Sequence, residues 1–384
     1  MIRSVRWKTG RKKRNGKSSE ERNEMKTLFS TLAVLVLIMV ANAATVVAQC
    51  DPNTKQAVYQ VFLDNRRATT IEGLQKAVDA GKKYLEMCKD SPDDQEVVAY
   101  LNRLLPRVEQ NLAVEIRFSR FETASKAQNY GESFKVGREI LANEPKDSEL
   151  KGDLSIYLTW AGYKAMESAD VASTMSAIEL GRETIALINS GAKFVDWGAY
   201  DGIFKQQNDA DSKSHTLGWL NFAIAEMYVK VDNKPEAMAH YFETTKYGAP
   251  IGSNPVVFQA IGAWYLSDAI RVRAEGVKIY EANGDQDTEE STKLFNLAKG
   301  YADRAFDAYA RAYQAAKVAK NDSATNSLYG RLGELYKFRF DGKEEGLEDF
   351  ILEVGKRPFI DPRNPVEPII EEETPATTPQ ATQS

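Results

Sequence analysis

Cys50 and Cys88 are the only cysteines in the chain, and His215 and His240 its only histidines. These four residues decide most of what chemistry is open to it. Neither histidine stands at a metal-ligand or catalytic-triad spacing, and no His-Glu-x-x-His pair, Gly-x-Ser-x-Gly elbow, P-loop or Gly-x-Gly-x-x-Gly fingerprint occurs. Two cysteines cannot build a zinc cluster. No catalytic residue, metal or cofactor is therefore expected, and the chain reads as a protein that binds rather than one that catalyses. Carboxylates are abundant, so a glycoside-hydrolysing pair leaves one enzymatic alternative, an α-toroid sugar-active enzyme. A purely structural envelope protein is the other alternative.

The cysteines carry chemistry of a different kind. Cys50 directly precedes a predicted helix over residues 54–67, and Cys88 closes a second over 70–89. In an antiparallel pair the end of the second helix returns to the start of the first, which suits a Cys50–Cys88 disulfide. One buried and one exposed thiol is the other reading. A second candidate is the stretch 189–215, too long for an ordinary helix connection. It holds Phe194, Trp197, Tyr200 and Phe204 among Gly and Asp, and predicts either a binding loop or a short extra helix that covers the body.

The N-terminus reads as an address. Residues 27–50 carry no charge, residues 28–40 form the apolar heart, and Lys26 precedes them. Ala41-Asn42-Ala43, or Val46-Val47-Ala48, fits a small-residue cleavage pattern, so residues 1–48 predict a secretory signal whose natural start is Met25. The competing readings are an inner-membrane anchor over residues 28–48 and a lipidated Cys50. The expected location is exported, periplasmic or envelope-associated. Residues 1–48 hold ten Lys/Arg and three Asp/Glu; subtracting these from the chain totals of 50 and 55 leaves 40 against 52, a body near −12. A surface that acidic repels phosphates, so nucleic acid is not an expected partner. Membrane association is expected only through an uncleaved N-terminal segment.

From residue 54 to 355 the apolar spacing is helical. Ile71, Leu74, Val78, Leu85 and Cys88 share one face; Val171, Met175, Ile178, Ile185 and Ile188 share another. No sustained period-two run appears, so the expected class is all-α, built of antiparallel helix pairs. Ser91-Pro92, Glu144-Pro145, Ala249-Pro250, Asn254-Pro255 and Arg357-Pro358 punctuate it.

Within these helices a pattern recurs: Asn221, Ile224, Ala225 and Tyr228, followed by Ala237 and Tyr241; Phe258, Ile261, Gly262 and Tyr265; Tyr329, Leu332, Gly333 and Tyr336, followed by Phe350 and Pro358; and a weaker Leu158, Ala161, Gly162 and Ala165. This spacing resembles the tetratricopeptide-repeat (TPR) family, in an exported bacterial form. The resemblance implies an α-α superhelix over residues 49–360 whose concave face, lined by first helices, takes a protein or peptide partner. The residues it places on that face are Trp219, Phe222, Glu226, Val229 and Lys230 in one unit, Ser327, Gly330, Glu334, Lys337 and Phe338 in another, and Ile156, Thr159, Tyr163 and Met166 in the weak one. Residues 361–384, rich in Pro, Thr and Glu, are expected to be a disordered tail.

Overall fold

A computed structural model describes residues 50–143, 149–198, 204–248, 250–340 and 342–370. The N-terminal address, Tyr200 and residues 371–384 lie outside the described residues. Among those described, the regular elements are twelve α-helices and one 3₁₀ turn, with no strand. The chain is all-α, and none of these helices is long and apolar enough to cross a membrane. It divides into two compact units, with the boundary between Ala113 and Val114.

The first unit contains α1 (Pro52–Asn65), α2 (Ile71–Cys88), a 3₁₀ turn (Pro92–Asp94) and the start of α3 (Gln95–Lys126). Asp51 caps α1 by accepting the Thr54 N–H, and Pro52 presets the first helical φ; Thr70 caps α2 through the Gly73 N–H. α1 and α2 pack together around Phe62, Leu74, Ala77, Val78 and Tyr84, with Leu101 and Leu105 of α3 added to the same cluster. Cys50 and Cys88 are disulfide-bonded, with Cα atoms 5.0 Å apart, which ties the start of α1 to the end of α2. Beside this bond the buried Asp94 carboxylate, 4% exposed, gathers donors. Lys55 Nζ lies 2.9 Å from both of its oxygens, the Tyr84 hydroxyl donates to Oδ1 at 2.8 Å, and the Ser91 hydroxyl donates to Oδ2 at 2.6 Å. The hydrogen bonds from Ser91 and Lys55 hold Asp94 below the usual carboxylate range. Burial, reinforced by Asp94, pushes the Tyr84 phenol up to about 12. Cys50, Cys88 and Asp94 lie close enough to suggest a cation site, but each sulfur is bonded to the other and neither offers a thiolate.

The second unit holds the rest of α3 and then α4 (Tyr130–Leu141), α5 (Glu149–Ala165), α6 (Val171–Asn189), α7 (Asp209–Lys230), α8 (Lys234–Thr244), α9 (Pro255–Ala282), α10 (Glu289–Val318), α11 (Asp322–Arg339) and α12 (Leu347–Val354). From α4 to α11 each helix packs on the next, α5 also meets α7, and α12 packs on α10 and α11. Short polar residues start these helices: Asn129, Asp170, Asn208, Asn233, Asn254, Thr288 and Asn321 each accept a backbone N–H of the first turn. Pro255, expected as a stop signal, also opens α9 from its first position.

Small residues set the closest helix approaches. A Cβ on Gly162 would lie 2.4 Å from Ala177 Cβ, so α5 and α6 meet backbone to backbone there. At Gly262 a Cβ would lie 2.9 Å from the Tyr309 ring, which lets the 28-residue α9 and the 30-residue α10 run as a tight hairpin. Gly333 is different: its Cβ would have nothing nearer than Leu347 Cδ2 at 3.9 Å.

Two expectations are corrected. The connection between α6 and α7 forms no helix among its described residues. Phe194, Trp197 and Phe204 are buried there against Ile156 of α5, Ile188 of α6 and Leu217 and Leu220 of α7. The tail expected to be free from residue 361 is instead held on the second unit as far as Ile370. The Phe359 ring lies 5.6 Å from Phe242 and 5.5 Å from Phe258, Arg363 Nη2 donates to Glu243 at 2.8 Å, and Ile369 N–H donates to the Asn296 carbonyl at 3.0 Å. A composition that looked too polar to bury is anchored by one aromatic and one arginine.

Candidate functional site

α5, α7 and α9 carry a run of touching aromatic rings. On α5, Trp160 lies 5.1 Å from Tyr163. Trp160 meets Trp219 of α7 edge-on at 5.5 Å, and Tyr163 meets Phe222 of the same helix at 6.1 Å. Trp219 and Phe222 are 5.7 Å apart. Phe222 leads through Tyr241 of α8 to Trp264 of α9, in steps of 6.1 and 6.0 Å. These offset and edge-to-face arrangements are the favoured ones for aromatic pairs.

The rings differ in what they offer. Phe222 and Tyr241 are buried, whereas Trp160, Tyr163, Trp219 and Trp264 are each half-buried. The buried pair forms a floor, and the four others leave edges or faces accessible. The helical period explains the pattern. Trp160 and Tyr163 stand three apart on α5, as do Trp219 and Phe222 on α7, so each helix presents two rings to the same side.

Charge is placed at the strip. Glu226, half-buried, accepts a hydrogen bond from the Tyr241 hydroxyl. Burial raises the Tyr241 phenol well above its ordinary range, and Glu226 adds to the shift. Tyr163 is raised for the same two reasons, burial first and then the Glu226 charge. Both phenols are therefore neutral, and Tyr241 donates to Glu226. The exposed Lys164 ammonium lies 5.4 Å from the Trp160 ring and 6.0 Å from Tyr163, a cation–π placement. At the far end Lys234 pairs with Asp268 at 2.7 Å.

α7 and α8 also share a polar pair, the buried Asn221 and the half-buried His240. His240 Nδ1 and Asn221 Oδ1 are 2.8 Å apart, and the His240 ring stacks on Tyr228 at 5.6 Å. With the Asn221 oxygen as acceptor, Nδ1 carries the proton. Burial lowers the His240 pKa to about 4, so the imidazole is neutral and structural.

The sequence-predicted residues separate into distinct places. Trp219 and Glu226 belong to the strip. Phe222 is only 8% exposed and serves as its floor, so it offers a partner little surface. Lys230 and Val229 lie exposed at the end of α7, and Ile156 and Thr159 are buried in the core. Trp197, 4% exposed, is a buried anchor rather than a contact surface: it stacks on Phe194 at 4.8 Å and its indole N–H donates to Asp209 at 3.3 Å. Asp153 of α5 fixes the same turn by accepting the Val195 and Asp196 N–H groups at 3.1 and 3.2 Å. Glu334 is exposed on α11. Lys337 lines a separate groove of about 640 Å³ with Arg273, Tyr280, Phe295 and Phe338, and pairs with Glu344.

Trp160 and Trp264 are strip residues that the sequence pattern did not single out. Each stands one position from a residue that it did, Thr159 and Tyr265. A rotation of one residue, about 100° around a helix, separates a groove position from a core position, so offsets counted from a degenerate motif miss by that much. No protein-family model, curated protein or solved structure matches this chain.

Proposed function

We propose that the protein is an exported helical scaffold, similar in plan to TPR proteins, that binds a protein or peptide partner through the aromatic strip on α5, α7 and α9. The observation that carries this reading is the strip itself: Trp160, Tyr163 and Trp219 in contact and joined to Trp264 through Phe222 and Tyr241, the four half-buried, with Lys164 and Glu226 beside them. Rings held by a buried floor lose little conformational freedom on binding, and Trp and Tyr dominate the binding energy of protein interfaces. Glu226 and Lys164 supply polar anchors of both signs, which suits a peptide backbone and mixed side chains better than a purely apolar ligand.

Two further observations support the parts of this reading. The close approaches at Gly162 and Gly262 are what a TPR-like pairing of first and second helices requires. The Cys50–Cys88 disulfide suits an oxidising compartment, in line with the address read in residues 1–48.

The test is photocrosslinking from the strip. A photoreactive phenylalanine replaces Trp219 in the full chain, expressed in its own cell envelope, with the same probe at the exposed Val318 as reference. The reading expects discrete adducts from position 219 that are absent from 318 and lost when Trp160 is changed to Ala. Identical adducts at both positions, or none at 219, would count against it.

A further inference from the structure

The C-terminal strap, residues 358–370, covers a cavity of about 300 Å³ against α10. Its floor is Gly300, Asp303, Arg304 and Asp307, one face of α10 at spacings of three and four. Its apolar walls include Phe350 and Val354 of α12 and Ile360, Val366 and Ile369 of the strap. Gly300 is what brings the strap this close: a Cβ there would lie 2.1 Å from the Glu367 carbonyl oxygen. Glu367 also lines the cavity, but it is an exposed residue.

The charges within it are unequally matched. Asp303 meets Arg339 Nε at 2.9 Å, and Asp307 meets Arg311 Nε at 2.7 Å. Arg357, at the rim, pairs with Glu353. Arg304 makes no close ion pair with a carboxylate among the described residues, although its charge reaches Asp307 three positions along α10. One of its terminal nitrogens, Nη2, donates to the Pro365 carbonyl at 3.3 Å, while Nη1 is buried with no acceptor at all. The nearby Tyr265 hydroxyl, which feels the Arg304 charge, is also buried without a partner. A guanidinium nitrogen removed from water and left unbonded is costly, and native structures seldom keep one without use. Both aspartates are already matched by their own arginines, so an added ammonium would gain little. The unmet demand is for an acceptor at Arg304 Nη1, which a carboxylate oxygen can supply.

We propose that this cavity is a binding site for a small monocarboxylate with an apolar tail, its carboxylate taken by Arg304 and its tail laid against Phe350, Val354, Val366 and Ile369. The guanidinium fork suits a carboxylate geometrically. The volume stands at the lower end for small-molecule sites, which fits a short acid rather than a long lipid chain. The strap is then a wall of the site, and ligand binding and strap closure support one another.

Calorimetric titration of the full chain with hexanoate tests this, using hexanamide as the partner lacking charge. Saturable binding of one hexanoate, with hexanamide weaker by about tenfold or more, is expected from loss of a charge-assisted hydrogen bond. Arg304→Gln should weaken hexanoate by about the same factor and leave hexanamide unchanged, while Lys76→Gln, on the exposed face of α2, changes neither. Equal affinity for acid and amide, full retention in Arg304→Gln, or no binding of hexanoate at millimolar concentration would overturn the assignment. If Arg304→Gln does not fold, the acid-against-amide comparison on the unaltered protein decides alone.

Discussion

Removing the disulfide should release the first helix pair by an amount that the chain itself sets. Cys50 and Cys88 are separated by 38 positions. In the chain-entropy model a closed loop of that length contributes about 4 kcal/mol. Cys88 is fully buried among Phe62, Leu74 and Tyr84, so replacing it with Ala forfeits about 1 kcal/mol of packing in addition. The Cys50→Ala/Cys88→Ala protein should therefore lose about 5 kcal/mol in the first unit, more than a thousandfold in the opening equilibrium. Amide hydrogen exchange reads this locally, with peptides of α1 and α2 as reporters and peptides of α9 and α10 as the internal reference. Protection in α1 and α2 should fall by about three to four orders of magnitude, or to the unprotected rate if the unit holds less stability than that. Reducing the unaltered protein with dithiothreitol should do nearly the same. A change below about tenfold would refute the reasoning, because it would mean that Phe62, Leu74 and the Asp94 knot already confine the unfolded chain.

Other consequences follow from single groups. Gly162→Val places a side chain where Ala177 already stands and should cost about 3 kcal/mol in urea unfolding, whereas Gly333→Ala, with open space around it, should be neutral or stabilise by up to about 1 kcal/mol. His240 has a folded pKa of about 4 against an ordinary value of about 6.5. The unfolded chain binds the extra proton between those values, so stability falls as pH drops from about 6.5 toward 4, by at most about 3 kcal/mol. His240→Gln should flatten that part of the urea-midpoint profile; Asn221, Tyr228, Glu236, Glu243, Arg182 and Arg363 surround the ring and remain in the variant. Phe359→Ala removes the ring clamped by Phe242 and Phe258 and should raise exchange at the Ile369 amide by about tenfold, with α5 and α7 unaffected.

The helical character of the chain was readable from apolar spacing alone, and several boundaries fall within a residue or two of expectation. α1 was expected over 54–67 and spans Pro52–Asn65; α2 was expected over 70–89 and spans Ile71–Cys88. The Asn, Asp and Thr caps explain this, since a side chain that can accept a first-turn N–H marks the start of a helix. The strap was not readable. Its composition is that of a free tail, and what holds it are a ring, an arginine and a main-chain bond to residues 73 to 120 positions away. The aromatic strip was legible in part. Trp219 and Glu226, which the repeat resemblance named, are half-buried at the strip, but Phe222 is its buried floor, and Trp160 and Trp264 required the rotation of α5 and α9 that packing determines. Trp197 misled for a physical reason: a large aromatic in a Gly-rich connection can be the plug that closes a core as readily as a binding surface.

The proposed function requires the half-buried tryptophans to carry the binding energy. The most direct measurement takes the partner captured from position 219 and determines its affinity for the unaltered protein and for Trp160→Ala, Trp219→Ala and Trp264→Ala, each first shown to be folded by circular dichroism. The strip reading predicts that at least two of the three weaken binding by about thirtyfold, the scale of an interface hot spot, while Val318→Ser leaves it unchanged. Affinities within about twofold of the unaltered protein for all three tryptophan variants would contradict it and assign the strip to the packing of α5, α7 and α9 alone.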